Sequence, residues 1–153
     1  MAQTVLDGIE AVQKAEGTHL GYSDWLEITQ ERVDQFADAT GDHQWIHVDP
    51  ARAKDGPYGT TIAHGYLTMS LSNFFLPQVV EVQGFALGIN YGVNKVRFPA
   101  PVPVGSRVRG GVQLVSVEPI DGGVQTVMAI TVEVDGGSKP ACIIEAVSRY
   151  LLQ

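Results

Sequence analysis

The sequence predicts a single α+β domain over residues 1–153, in which helices come first and an antiparallel sheet follows. Before residue 80, apolar residues recur at helical spacing. After residue 84, β-branched residues alternate or bunch in runs separated by glycine-rich turns. These runs lie at 108–120, 122–134 and 140–152. The length of 153 residues suits one domain, since domains usually hold roughly 100–200 residues.

The first predicted element is a polar helix at residues 5–16. Val5, Ile9 and Val12 lie at helical spacing, and Gly17 provides a stop signal. An extended segment is expected at residues 19–27.

A second helix is predicted to begin after Thr29, whose hydroxyl can accept a hydrogen bond from a free backbone N–H. Val33, Phe36 and Ala37 form its apolar stripe. Gly41 is expected to end the helix, because glycine readily adopts the left-handed conformation of a C-terminal cap. The residues after Gly41 are thus placed at the mouth of a loop.

The segment 42–61 is rich in Asp, Gly, Pro and His and has no strong period. A segment of this kind inside a compact domain is often functional. Part of it, 49–54, is expected to form a short helix with Pro50 at its first position. A longer helix is predicted at 63–79. Its apolar residues cover much of the circumference, which predicts burial; they are Leu67, Met69, Leu71, Phe74, Phe75 and Leu76.

The second half is predicted to form a long antiparallel sheet that curves around the buried helix. The triplets 121–123 and 135–137, both Asp-Gly-Gly, are typical of hairpin turns. Pro99, Pro101 and Pro103 should form a rigid connection between strands. The expected architecture is one helix against one sheet.

Composition excludes several classes of protein. The net charge of −7 argues against a general nucleic-acid binder, which needs a basic face. No apolar run approaches the roughly 20 residues of a membrane span, and the first residues lack the features of a signal peptide. The single cysteine, Cys142, is expected to be a small buried hydrophobic residue. We therefore predict a cytoplasmic protein, and no cysteine–histidine spacing indicates a metal site.

The segment most indicative of chemistry contains Asp42 and His47, five residues apart, just past a predicted helix end. A loop can fold so that both side chains face one water molecule. One group can then take a proton while the other supplies a proton elsewhere. On these grounds alone a structural role is the more common one, since Asp after Gly is often a turn or cap residue and a lone His is more often structural.

The same segment resembles the signature of the MaoC-like dehydratases and (R)-specific enoyl-CoA hydratases. Gly41-Asp42, Ile46-His47 and Ala53 fit that signature, whereas Gln44-Trp45 replaces its usual Asn-Pro pair. The stretches 44–50 and 90–99 instead resemble the nodulation-protein-N-like branch of the superfamily. The resemblance runs from about residue 22 to 150.

This resemblance implies a single hot-dog fold, in which a long central helix is wrapped by a curved antiparallel sheet. It implies reversible hydration of a trans-2-enoyl-CoA to an (R)-3-hydroxyacyl-CoA, with Asp42 and His47 as the catalytic pair. The backbone N–H of Gly65 would hold the thioester oxygen. No cofactor is expected, because CoA arrives as part of the substrate, and family members of this length resemble homodimers.

Three further residues are predicted to contact the acyl-CoA substrate, each with a structural alternative. The structural alternative for His64 is a helix cap or a hydrogen bond within the core. For Asn94 it is the cap of a bulge, and for Arg97 it is an exposed strand position without a phosphate ligand. Two other functions stay open from sequence: a hot-dog acyl-CoA thioesterase, and a non-catalytic acyl-thioester-binding or signalling module.

Overall fold

The computed structural model describes residues 2–153 and contains eight strands and six helices over that range. The strands are β1 Thr4–Asp7, β2 His19–Tyr22, β3 Leu26–Glu27, β4 Val80–Gln83, β5 Leu87–Arg97, β6 Arg107–Ile120, β7 Gly123–Val134 and β8 Cys142–Leu151. The helices are α1 Gly8–Lys14, α2 Gln30–Thr40, α3 Trp45–Val48, α4 Pro50–Ala53, α5 Gly65–Ser70 and α6 Ser72–Val79. Helices thus dominate the first half and long strands the second, which confirms the α+β prediction.

The main sheet is antiparallel and has six strands. Its order is β2-β6-β7-β8-β5, and the short strand β3 also pairs with β6. The turn between β6 and β7 lies at 121–122, as the Asp-Gly-Gly triplet predicts. The triplet at 135–137 lies in the connection from β7 to β8. Local turn chemistry therefore predicted both connections of the central three strands.

The helical segment α5–α6 packs against this sheet and is nearly continuous, with a single non-helical position at Leu71. Leu67, Leu71, Phe75 and Val79 are buried, one turn apart. They join the apolar core formed by β6, β7 and β8. A central helix wrapped by a curved antiparallel sheet is the hot-dog fold, so the predicted architecture is confirmed.

Two details of this helix differ from the expectation of an all-round buried element that starts near residue 63. The helix begins at Gly65. Tyr66 and Phe74 are exposed, because the sheet covers only one side of the helix. These two aromatic rings lie on the opposite side of the helix, where no other part of residues 2–153 buries them.

The helix predicted at 5–16 is wrong in its first turn. Residues Thr4–Asp7 form β1, which pairs in parallel with β4. The helix α1 begins only at Gly8, and Val12 is buried on it. The helical preference of these residues is overridden by pairing with β4, a strand some 75 residues away. If residues 4–7 were helical, they could not pair with the backbone N–H and C=O groups of β4.

Two expectations from composition concern burial and membranes. Cys142 is fully buried at the start of β8, and burial raises the pKa of its thiol to about 11. This environment fits the small hydrophobic residue predicted from sequence. Over residues 2–153, no helix has the length and apolar character needed to cross a lipid bilayer.

Candidate active site

Asp42 is placed by the end of α2. The helix begins with the predicted cap, in which the Thr29 hydroxyl accepts from the Arg32 N–H at 3.1 Å. It ends at Gly41, which has a φ of 82°. This left-handed residue turns the chain so that Asp42 leaves the helix as an exposed residue. Its carboxylate accepts a long hydrogen bond of 3.3 Å from the Gln44 N–H.

His47 lies on the short helix α3 and is only 7% exposed. Its Nδ1 is 2.7 Å from the backbone oxygen of Ile62. A carbonyl oxygen can only accept, so Nδ1 carries the proton and donates. In the neutral ring, Nε2 is then left with its lone pair. The fold therefore selects the tautomer that a proton-transfer residue requires.

The backbone around His47 is held by residues that the sequence did not indicate. Gln30 donates from Nε2 to the His47 backbone oxygen at 2.7 Å, and its own Oε1 accepts from the Thr61 hydroxyl at 2.6 Å. The Ile62 N–H donates to the Ile46 oxygen at 3.0 Å. These contacts join residues 16 to 31 positions apart, so no local pattern could have predicted them.

His64 completes a cluster with Asp42 and His47. Its ring stacks on the His47 ring, with centroids 3.9 Å apart and planes 24° from parallel. Its Nε2 donates to the Asp42 backbone oxygen at 3.0 Å. One carboxylate oxygen of Asp42 and one nitrogen from each ring lie within 4.8 Å of one another. The two predicted catalytic residues are thus adjacent, together with the predicted His64.

The electrostatic environment favours a neutral His47. Burial lowers the pKa of its imidazole, and the nearby His64 lowers it further. The hydrogen bond to Ile62 and the negative charge of Asp42 act in the opposite direction but do not cancel the effect of burial. At neutral pH the free Nε2 lone pair is therefore available to accept a proton.

A cleft of about 430 Å³ opens beside His47. One wall comes from the start of α5 and the residues just before it, and the other from the proline-rich connection after β5. The lining residues are His47, Tyr58, Ile62, Ala63, Gly65, Thr68, Phe98, Pro99, Ala100, Pro101, Val102 and Ala141. The wall is mostly apolar, which suits an acyl chain.

Gly65 lies in this cleft as the first residue of α5, so its N–H has no acceptor within the helix. A Cβ at this position would lie 3.2 Å from the Phe98 ring. That distance is too short for ordinary packing. Because Gly65 has no side chain, the Phe98 ring can pack over the start of the helix. For the same reason, no side chain of residue 65 covers the Gly65 N–H.

Asn94 and Arg97, the two predicted substrate contacts on β5, are exposed and do not line the cleft. The Arg97 guanidinium donates to the neighbouring Val96 oxygen at 2.8 Å. The structure thus brings together Asp42, His47, His64 and Gly65, and leaves Asn94 and Arg97 apart from them.

The cluster also brings together three groups that could ligate a metal ion. Asp42, His47 and His64 each offer one ligand atom, and these atoms lie within 4.8 Å of one another. Each histidine donates one ring N–H to a backbone carbonyl, which leaves its other ring nitrogen with a lone pair, as in most metal-binding histidines. The absence of a metal therefore stays a prediction from the sequence.

Comparison with known sequences decides the family. The family model described as MaoC like domain matches residues 11–137. The chain belongs to the MaoC-like family. It is 56% identical over 146 residues to 3-hydroxyacyl-thioester dehydratase Z from Mycobacterium tuberculosis, covering 95% of this chain and 97% of that protein. It is also 43% identical over 128 residues to nodulation protein N from Rhizobium leguminosarum, covering 82% and 80% of the two chains.

Solved structures of MaoC-like proteins and hydratases have the same fold. The R-hydratase PhaJ1 from Pseudomonas aeruginosa superposes with a TM-score of 0.75 at 24% identity, covering 90% of this chain and 83% of that chain. The (R)-hydratase from A. caviae involved in PHA biosynthesis gives 0.70 at 26% identity, with 88% and 98% coverage. The hot-dog assignment and the MaoC-like resemblance seen in the sequence are therefore both confirmed.

Proposed function

We propose that residues 1–153 form one catalytic domain, an (R)-specific enoyl-CoA hydratase that reversibly adds water to a trans-2-enoyl-CoA. The observation that carries this proposal is the pairing of Asp42 with a buried, tautomer-selected His47 beside an apolar cleft. The high identity to a 3-hydroxyacyl-thioester dehydratase supports the same reaction class, because hydration and dehydration are one equilibrium.

In the proposed mechanism, a water molecule lies between the Asp42 carboxylate and His47 Nε2. One of the two groups takes a proton from this water as its oxygen bonds to Cβ of the enoyl chain. The other group delivers a proton to Cα. The double bond is consumed, and the first group returns its proton to the second, so the net change is addition of one water.

The thioester oxygen gains negative charge as Cβ is attacked, and we assign its stabilisation to the Gly65 N–H. A backbone donor that is already oriented costs no reorganisation when this charge develops. Its location in the cleft beside His47 supports the role. No electron is transferred in the reaction, so it requires no redox cofactor. CoA enters only as the carrier of the acyl group.

The other proposed contacts to the acyl-CoA substrate are His64, Asn94 and Arg97. Arg97 is an exposed cation on β5 and is the one suited to a CoA phosphate. A phosphate contact of this kind strengthens binding without entering the chemical step. The cytoplasmic location stays a prediction from the sequence.

We further propose that the working form is a homodimer in which β5 of each subunit forms the contact. β5 pairs with β8 along one edge and has no strand along the other within residues 2–153. All but one of its eleven residues are exposed, including the apolar residues Leu87, Ile89, Tyr91 and Val93. An uncovered edge of this composition needs a partner.

The experiment that tests the reaction is the hydration of crotonyl-CoA. The reaction is measured as the decrease in absorbance of the enoyl thioester. The product is then coupled separately to an (R)-specific and an (S)-specific 3-hydroxyacyl-CoA dehydrogenase. We expect signal only from the (R)-specific enzyme, because membership of the MaoC-like family implies the (R) product and addition to one fixed face of the enoyl plane gives a single enantiomer. Signal from the (S)-specific enzyme alone would contradict the proposed substrate orientation.

The same assay separates the two alternative functions. A thioesterase would release free CoA, which a thiol reagent detects, and would leave no 3-hydroxyacyl-CoA. An acyl-thioester-binding module would bind crotonyl-CoA without turnover. Hydration without release of free CoA supports the hydratase over both.

A further inference from the structure

His64 occupies a position where its side chain has no role in its own helix. It is the N-cap residue of α5, yet it makes no side-chain cap hydrogen bond. Polar residues usually occupy such positions to satisfy the free N–H groups of the first turn. The His64 ring is instead turned away into the cluster and is only 2% exposed. Helix capping therefore does not explain why a histidine is present here.

The ring contacts three segments that together form the candidate site. One face stacks on His47, and Phe36 of α2 lies on the ring with a centroid distance of 4.8 Å and an interplanar angle of 54°. The edge donates from Nε2 to the Asp42 backbone oxygen. A single buried side chain thus links α2, α3 and the loop between them, residues 41–44, which we call the Asp42 loop.

The Asp42 loop has few other restraints. The Asp42 N–H donates to the Thr40 hydroxyl at 3.4 Å, and the carboxylate accepts from the Gln44 N–H at 3.3 Å. Both bonds are long and lie at the exposed surface, where water competes for the same groups. The bond from His64, at 3.0 Å, is shorter and comes from a buried donor.

We propose that His64 is a positioning residue, which sets the location of the Asp42 carboxylate relative to His47 Nε2. This inference rests on the proposed function, since it concerns the same catalytic pair. The bond to a carbonyl requires the proton on Nε2 of His64, so Nδ1 keeps an unshared lone pair. That Nδ1 is buried and has no hydrogen-bond partner among residues 2–153.

The unpartnered Nδ1 distinguishes positioning from a purely structural role. A buried acceptor without a partner destabilises the folded state. A phenylalanine would stack as well and would avoid that cost, but it could not donate to Asp42. The presence of a histidine at position 64 is therefore explained by its hydrogen bond to Asp42 and not by packing.

The test is a double-mutant cycle of His64→Phe with Asp42→Ala, measured by crotonyl-CoA hydration on the full chain. We expect His64→Phe alone to lower kcat about tenfold or more, since small misplacement of a catalytic group is costly, while KM changes less than about twofold. In the Asp42→Ala background the same change should lower kcat by less than about twofold, because there is no carboxylate left to position. An equal loss in both backgrounds would overturn the proposal, as would a rise in KM at constant kcat.

A second readout does not depend on activity. Amide hydrogen exchange at residues 42–44 should accelerate at least about tenfold in His64→Phe, because the loop opens more often without its buried anchor. If the wild-type protein has no hydratase activity but exchange accelerates, the proposed function fails and the positioning of Asp42 stands. Unchanged exchange would overturn the positioning role itself.

Two further variants guard against misfolding. His64→Gln keeps an N–H donor and should retain more activity than His64→Phe, even if its melting temperature is lower. Thr126→Val is the matched control, because the Thr126 hydroxyl is also buried without a partner but lies on β7 outside the cleft. Thr126→Val should leave kcat and exchange at 42–44 unchanged. Less activity in His64→Gln than in His64→Phe would overturn the role of the donor.

Discussion

The Asp42–His47–His64 cluster and strand β5 both carry predicted site residues, yet their surroundings are opposite. In the cluster, each histidine ring is buried and donates to a backbone oxygen of the same chain. On β5, Asn94 and Arg97 are exposed, and the strand has one unpaired edge. One region holds its two histidine rings by hydrogen bonds within the chain, whereas the other presents its polar side chains to solvent.

This difference indicates how function is divided within the molecule. Contacts within the chain orient His47, because Ile62 holds its ring and Gln30 holds its backbone. β5 presents apolar side chains that one subunit cannot cover. We therefore expect single substitutions in the cluster to lower kcat strongly while the dimer is retained. Substitutions on β5 should act mainly on dimer formation and on the binding of CoA.

The largest effect is expected in the cluster. Asp42→Asn and His47→Gln should each lower kcat by about 10²-fold or more, since positioned acid–base groups contribute roughly 10²–10⁴. Steady-state hydration of crotonyl-CoA measures this, and circular dichroism checks that each variant is folded. His43→Gln is the matched control, because His43 is an exposed neighbour paired with Asp38. Turnover near the wild-type rate in either cluster variant would remove that residue from the proposed mechanism.

The second effect concerns the dimer. Light scattering of the wild-type protein at micromolar concentration should give the mass of two chains. Tyr91→Glu together with Val93→Glu should weaken the dimer about 10²-fold or more, because like charges would be buried against each other across the contact. Val115→Glu, which places a charge on an exposed apolar position of β6, should leave the dimer intact. A stable, active wild-type monomer would contradict the proposed assembly.

The third effect is on pH dependence. The pKa of His47 is lowered on folding, so the unfolded chain binds this proton at a higher pH than the native protein. Stability from this residue is therefore full above about pH 6.5 and declines as the pH falls towards the native pKa of His47. Thermal melts should show this decline, and kcat/KM should stay on its plateau somewhat below pH 6.5.

His43 must be removed from this measurement, since the hydrogen bond to Asp38 raises its pKa and gives the opposite pH trend. The comparison is therefore made between His43→Gln and His43→Gln/His47→Gln. The acid-side loss of stability should appear in the first and be reduced in the second. An identical loss in both would show that another group controls it.

The smallest effect is expected for the exposed charge on β5. Arg97→Gln should raise KM for crotonyl-CoA only a few-fold at constant kcat, because an exposed ionic contact contributes about 0–1 kcal/mol. A crotonyl-pantetheine thioester, which lacks the nucleotide phosphates, should show no difference between the two proteins. A large fall in kcat would instead mean that a subunit contact brings Arg97 to the reacting atoms.

The parts of the fold that were predicted correctly depend on neighbouring residues. Thr29 and Gly41 mark the ends of α2 as predicted, and the glycine turns mark the connections of β6, β7 and β8. The first turn of the predicted helix 5–16 is a strand because β1 pairs with β4. That partner is distant in sequence, so spacing within the segment could not reveal it.

The candidate site divides in the same way. The sequence determined that Asp42 and His47 follow a helix end within one short motif, and it placed the start of the central helix near residue 63, two residues before the observed start at Gly65. Only the tertiary structure decided the tautomer of His47 and the stacking of His64 on it, and it alone showed the support that Gln30 and Thr61 provide. Local backbone geometry follows from adjacent residues, whereas a hydrogen bond between distant residues exists only once packing has brought donor and acceptor within about 3 Å.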